Sequence, residues 1–340
     1  MLYPLKFEPY YKSCIWGGNR LRDVLGKKCG GDVGESWEIS VIEGKESVVS
    51  NGFLAGNTLK ELVEVYMDDL VGGRVWERYH AEFPLLFKFI DSHDDLSFQV
   101  HPSDEMAKER HGGFGKTEMT YVVMAEENAK FYLGFREGIS QDEIRKSVES
   151  GVLEQDVKAW NARRGDVFFV EAGTVHALGK GMLIAEVQES SDVTYRLYDY
   201  NRTDKDGKKR DLHVDEALES ISDKGVEMDE AKCVLHSREG EDSEIVKCEH
   251  FTVNRLWTEE SRRVDLAQRG SFTVYMCVGG QGELIMPQTT MDKDKDEKVA
   301  VETEDVVSVR TGECVLIPAE VDELEIVSGG GALDLLEVYV

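Results

Sequence analysis

Four side chains of this 340-residue chain have the types and spacing to hold a divalent ion. Gln99 and His101 are two apart in Phe-Gln-Val-His-Pro. On a strand such residues project from one face, so both can reach the same ion. Glu118 follows in Lys116-Thr-Glu118-Met, and His176 closes the set at the end of a glycine-bounded apolar run. One amide oxygen, two imidazoles and one carboxylate form a mixed N/O set suited to zinc or a similar ion. His80, His93, His111, His213, His236 and His250 have no such company and are given no role.

Short strands must position these groups. Phe83-Pro-Leu-Leu-Phe-Lys-Phe-Ile reads as a buried strand, Leu96 to His101 as another, and Tyr121–Met124, Lys130–Phe135 and Asp166–Val170 continue the series. Helical patterns interrupt them. Asn57-Thr-Leu-Lys-Glu-Leu-Val has an Asn or Thr cap with apolar spacing at Leu59, Leu62 and Val63, and Ser140 with Glu143 forms a capping box. Residues 201–246 carry charge runs and few large apolar side chains, and are expected to be a partly helical join between two halves. Beyond it, Cys248–Trp257, Ser271–Val278, Gly282–Met286 and Cys314–Pro318 read as strands, and polar Thr289–Glu304 as a long hairpin tip.

Forty Lys and Arg against 67 Asp and Glu give a formal charge of −27. That excludes a general nucleic-acid binder, which needs a basic surface, and any anion site must be built locally. No apolar stretch approaches ~18 residues and the start has no apolar signal region, so a soluble cytoplasmic protein without membrane association is expected. The six cysteines are scattered with no Cys-x-x-Cys pair and read as buried thiols.

Two glycine-turn segments repeat about 150 residues apart. Gly165-Asp-Val-Phe-Phe-Val-Glu-Ala-Gly173-Thr-Val-His176 lies beside Gly312-Glu-Cys-Val-Leu-Ile-Pro318-Ala-Glu320-Val-Asp-Glu323. Each runs glycine, acidic residue, four mostly apolar residues, a turn, then a polar residue at the twelfth position. This resembles the second motif of the cupin superfamily, a double-sheet jelly roll, and Gln99, His101, Glu118 and His176 fall where cupins carry metal ligands. The resemblance implies a mainly β fold of two cupin-type jelly-roll β-barrels with an inserted or connecting helical region. Residues 1–240 would be the catalytic domain and 241–340 a degenerate, metal-free one, with Glu323 where the ligand histidine would stand.

A more specific resemblance follows. Phe83-Pro-Leu-Leu-Phe-Lys-Phe-Ile, Leu96-Ser-Phe-Gln-Val-His-Pro and Lys116-Thr-Glu-Met look like type I mannose-6-phosphate isomerase, which has Leu-Ser-Ile-Gln-x-His-Pro and Lys-Pro-Glu-Met in the same order. Glu186-Val-Gln-Glu-Ser-Ser-Asp-Val-Thr-Tyr-Arg196 is similar to its Glu-Cys-x-x-x-Ser-Asp-x-x-x-Arg motif, and Trp16-Gly-Gly and Gly34-Glu-Ser-Trp37-Glu match its opening. Thr117 replaces the usual proline beside Glu118. The compact length and Tyr195-Arg-Leu-Tyr-Asp-Tyr look like the short bacterial form.

The resemblance implies interconversion of mannose 6-phosphate and fructose 6-phosphate through a cis-enediol, with one bound zinc per chain on Gln99, His101, Glu118 and His176. Arg196 would stabilise the enediolate or contact phosphate, Lys116 would add positive charge near the metal, and Glu186 is the best proton carrier. Ser97 could contact phosphate, and Trp37 could wall the sugar. A phosphorylated hexose is the expected partner, with the chain a monomer or homodimer. Two rival classes exist: a non-catalytic metal cupin, which leaves Lys116, Glu186 and Arg196 together unexplained, and an Fe²⁺ oxidative cupin, which prefers His-rich ligand sets.

Overall fold

The short apolar runs do become antiparallel strands, and in the computed structural model 42% of residues are strand and 17% helix. The structure describes residues 2–204, 206–221, 233–237, 240–292 and 297–340. Lys130–Phe135 and Asp166–Val170 have the expected bounds; the buried run is the strand Leu85–Ser92, and the next is Phe98–Val100. The expected capping box forms, Ser140 with Glu143 opening Gln141–Ser150, and of the two possible caps at the other helix Thr58 is the one used, in a box with Glu61 that opens Leu59–Val71.

The chain makes two compact units, and neither is continuous in sequence. One comprises residues 10–42 and 84–237, the other residues 1–9, 43–83 and 238–340. The division expected near residue 240 therefore differs in one respect: segments 1–9 and 43–83 group with the C-terminal part. Of the join, the helix Val214–Ser220 and the strands Val234–His236 and Ser243–Lys247 are defined, and residues 222–232 lie outside the described residues.

The unit of residues 10–42 and 84–237 is two facing sheets. The seven-stranded sheet runs, edge to edge, Val234–His236, Asp166–Val170, Glu118–Ala125, Met182–Glu189, Leu85–Ser92, Val33–Ile39 and Tyr10–Gly18. The five-stranded sheet runs Tyr195–Tyr198, Phe98–Val100, His176–Leu178, Lys130–Phe135 and Val157–Asn161. Phe168 and Ile184 of the first pack with Phe131 and Leu178 of the second, and the rings of Phe131 and Phe168 stack 4.2 Å apart. Ile144 and Val148 of the capped helix, with Ala217 and Leu218, join Phe98, Val100 and Leu197 in a second cluster. This is the jelly-roll arrangement, two sheets packed face to face over an apolar core.

The second unit repeats the plan. Its five-stranded sheet runs Ser243–Lys247, Thr252–Thr258, Leu333–Tyr339, Thr273–Gly279 and Cys314–Ile317. Its four-stranded sheet runs Arg262–Asp265, Glu323–Ser328, Gln281–Asp292 and Glu297–Arg310. The expected polar hairpin is the Gln281–Asp292 and Glu297–Arg310 pair, and its tip, residues 293–296, lies outside the described residues. The helix Leu59–Val71 buries Leu59, Leu62, Val63, Leu70 and Val71. Carbonyls of its last residues, which no intrahelical N–H can reach, accept from distant backbone: Asp69 from Glu320, Leu70 from Ala319 and Val71 from Phe272, each at 3.0 Å. Arg255, 1% exposed, is held by Asp334 through two bonds of 2.8 and 2.6 Å.

Candidate active site

Register places the polar residues in two rows. Across the seven-stranded sheet Trp37 faces Lys88, Lys88 faces Glu186, and Glu186 faces Thr120; one step along, Gln188 faces Glu118. Across the five-stranded sheet Arg196 faces Gln99 and Gln99 faces His176. Because directly paired residues share a face, each row presents its side chains together. The glycine turn delivers His176: Gly165 adopts φ +88°, a conformation open to glycine, and starts the strand whose return begins at His176.

His101, Glu118 and His176 are fully buried and their ligand atoms lie within 4.8 Å of one another. His101 donates from Nδ1 to the Val193 carbonyl at 3.0 Å, and His176 from Nδ1 to that of Thr174 at 3.1 Å. Those bonds leave each Nε2 as a lone pair, the form a metal-binding imidazole takes. His176 Nε2 then faces Glu118 Oε1 at 3.0 Å, and His101 Nε2 faces Oε2 at 3.5 Å. Three acceptors converge, an arrangement that calls for a cation between them. The Lys116 ammonium partly serves, reaching Glu118 Oε2 at 2.6 Å and His101 Nε2 at 2.9 Å. The Gln99 amide lies 3.2 Å from His176 Nε2, so it too borders the cluster.

Charge states agree with this. Burial, helped by the Lys116 charge, holds the His101 imidazole well below its ordinary value. Burial opposes ionisation of Glu118, yet the Lys116 charge holds its carboxyl well below the ordinary range. Neutral imidazoles and an ionised carboxylate are what metal ligation requires. The donor set fits a divalent ion.

A cavity of about 340 Å³ opens beside the cluster. Every remaining residue singled out from the sequence lines it: Trp37, Ser97, Gln99, Lys116, Glu186 and Arg196. Glu186 accepts from Lys88 at 3.0 Å; burial raises its carboxyl above the ordinary value against the pull of that lysine. Arg196 donates from Nε to Ser97 at 3.3 Å and from Nη1 to the Asp211 carbonyl at 2.9 Å. Trp37 has no exposed surface; Lys12 and Lys88 lie over its ring, and its Nε1 donates to Glu35 at 2.7 Å.

Lys12, Glu35, Lys88 and Arg210 also line the cavity, and the sequence reading does not select them. For Lys88 a signal exists, a single charge inside the apolar run Phe83–Ile90. Its ammonium bridges Glu186 and Glu35, the latter at 3.7 Å. Burial alone would raise the Glu35 carboxyl, but Lys88 and Lys12 hold it down to about 2. Arg210 sits in the charge run Asp204–Arg210, which reads as part of the join. In all, five cationic and three acidic side chains line the cavity, so it is locally positive in a chain of charge −27.

Comparison with known proteins agrees with the fold. Residues 4–131 match the family described as phosphomannose isomerase type I, catalytic domain. The chain is 36% identical over 286 residues to mannose-6-phosphate isomerase ManA of Bacillus subtilis, covering 83% of this chain and 87% of that protein. It is 36% identical over 285 residues to mannose-6-phosphate isomerase of Streptococcus mutans, covering 84% and 87%. Among solved structures, the mannose 6-phosphate isomerase of Bacillus subtilis superposes over 100% of both chains with a TM-score of 0.82 at 30% identity. The chain belongs to the type I phosphomannose isomerase family.

Proposed function

We propose that this chain interconverts mannose 6-phosphate and fructose 6-phosphate through a cis-enediol, with one Zn²⁺ held by Gln99, His101, Glu118 and His176. The observation that carries the reading is the convergence of three buried acceptors on the edge of a cationic cavity whose wall holds a buried carboxyl. When bound, the ion supplies Lewis-acid polarisation of the sugar's oxygens.

The chain's own residues do the rest. Glu186, ionised, takes the proton from C2 of the aldose and returns it to C1, and a raised carboxyl suits both directions. Lys88, 3.0 Å away, orients that carboxylate and balances its charge. Arg196 presents a planar fork to the charge that develops on the enediolate or to the phosphate, and Ser97 fixes the fork through Nε. Lys116 adds fixed charge beside the ligands, and Trp37 stiffens the wall behind Lys12 and Lys88. Glu323 and its surroundings in the unit of residues 1–9, 43–83 and 238–340 hold no metal. The chain acts in the cytoplasm as a monomer or homodimer; among the described residues its cysteines form no disulfide, and no helix is long and apolar enough to cross a membrane.

Isomerisation and metal content measured on one purified sample test this. Turnover with about one zinc per chain is expected, lost on chelation and restored by zinc. Full activity with less than roughly a tenth of an equivalent of metal would overturn it.

A further inference from the structure

The five cations of the cavity are not equivalent. Lys12, Lys88 and Lys116 each have a carboxylate at 3.0 Å or less: Glu35, Glu186 and Glu118. The two arginines do not divide that way. Arg196 donates to a hydroxyl and a backbone carbonyl, both neutral. Arg210 donates from Nε and Nη2 to Asp199 at 2.8 and 2.5 Å, but Arg202 takes the same carboxylate at 2.9 and 2.7 Å. Two guanidiniums thus share one buried carboxylate. Among the described residues no hydrogen bond engages Arg196 Nη2 or Arg210 Nη1. The charges that act on Arg196 are those of Arg210 and Arg202 against Asp199 and Asp211, so with Arg196 itself the balance is positive, and both arginines that line the cavity keep free donors.

We propose that Arg210 is a specificity-determining residue that, with Arg196, grips the phosphate of the sugar, and that Asp199 is the positioning residue that aims it. The inference rests on the isomerase reading and goes beyond it by naming what the loop after the strand Tyr195–Tyr198 contributes. The surplus matches a phosphate dianion, and bidentate guanidinium contacts suit its oxygens. Placement agrees. Arg196 is two strands from His176 along the row through Gln99, about 10 Å at ordinary strand spacing, a span comparable with the length of a hexose phosphate. Burial and the neighbouring Arg210 charge both lower the Arg196 guanidinium, so the pair repels until an anion lies between. Asp199, held low against burial by Arg210 and Arg202, stays ionised to fix Arg210.

The test compares wild type with Arg210→Met, Arg210→Lys and Asp199→Asn. It reads KM and kcat for mannose 6-phosphate, competitive inhibition by inorganic phosphate, zinc content, and the rise in melting temperature that phosphate produces. For Arg210→Met, KM and the phosphate inhibition constant should rise together, by about 10- to 100-fold, as for loss of a charge-assisted hydrogen bond. kcat should stay within about threefold of wild type by the same reasoning, because the enzyme loses binding common to substrate and transition state, and zinc content should not change. Arg210→Lys should recover part of the loss, and Asp199→Asn should shift both constants the same way by less. A folded Arg210→Met or Arg210→Lys protein with unchanged phosphate inhibition, or one that loses kcat with KM intact, would overturn the proposal. Should the Met variant not fold, the Lys variant carries the same comparison. Phosphate-dependent melting needs no turnover: phosphate stabilisation that depends on Arg210 in a protein without isomerase activity would sink the isomerase reading and leave the subsite standing.

Discussion

The row Trp37, Lys88, Glu186 in one unit and the row Asn254, Glu337, Tyr275 in the other are built alike, each from side chains paired across three neighbouring strands. They end differently. Glu337 accepts from Tyr275 at 2.8 Å, from Asn254 at 2.9 Å and from Arg269 at 2.7 Å, so its carboxylate is spent on protein donors. Arg255 and Asp334 likewise satisfy each other. In the first unit the row borders a cavity, and beside it three acceptors face each other with the Lys116 ammonium and the Gln99 amide at their edge. The glycine turns diverge in the same sense. Gly165 and Gly312 both adopt positive φ and both precede a buried strand. At the twelfth position His176 is buried, whereas Glu323 is exposed and lies 3.3 Å from Arg263 on the surface. A sandwich with polar rows becomes a site only where those rows leave bonds for something else to make.

Substitutions can break that contrast. His176→Ala should remove the metal and lower kcat/KM by about 10³-fold or more, the several kcal/mol a metal contributes; metal analysis and assay on one sample check both. Asp334→Ala should leave catalytic geometry alone but take from the buried Arg255 charge the carboxylate that holds it through two bonds, costing about 3–5 kcal/mol. Denaturant melts would show this, and pairing Asp334→Leu with Arg255→Met should recover most of the loss. Arg196→Lys keeps charge without the fork and should cost about 2–4 kcal/mol of transition-state stabilisation at unchanged zinc content; a variant near wild-type efficiency would refute the geometric role.

Glu35 gives a pH signature. Its carboxyl is lowered to about 2 in the folded chain, so it stabilises fully above its ordinary value of about 4.5 and loses that contribution as pH falls toward 2, roughly 3 kcal/mol in total. Glu35→Gln should flatten that part of the acid limb of stability against pH, and an unchanged limb would contradict it. The smallest effect is none: Glu323→Gln should leave zinc stoichiometry and activity as they are, and a second ion lost in this variant would erase the contrast.

The metal cluster was legible in the sequence because its members sit in motifs with strand spacing and a glycine turn. The Ser140–Glu143 capping box was legible for a similar reason, since the partners are three residues apart. Lys88 was hidden by its apolar neighbours, because a run of mostly buried residues does not say which face meets a cavity; only the register with Glu186 and Trp37 does. Arg210 was hidden by the opposite context. Its run Asp204–Arg210 has the composition of a solvated join, and the carboxylate that anchors it, Asp199, belongs to a different local pattern. Unit boundaries were the least legible. Nothing in the composition of residues 43–83 shows that the partners of Leu70 and Val71 come more than 200 residues later.

Those late partners set an order on synthesis. All of residues 10–42 and 84–237 leave the ribosome before residue 238, so the unit carrying the ion site has its whole chain available first. The helix Leu59–Val71 must wait for Phe272, Ala319 and Glu320, roughly ten to fifty seconds at ordinary elongation rates. During that interval the carbonyls of Asp69, Leu70 and Val71 lack their native donors. The nascent chain therefore carries an unfinished helix end until residue 320 is made, and slowing translation beyond residue 238 prolongs that interval.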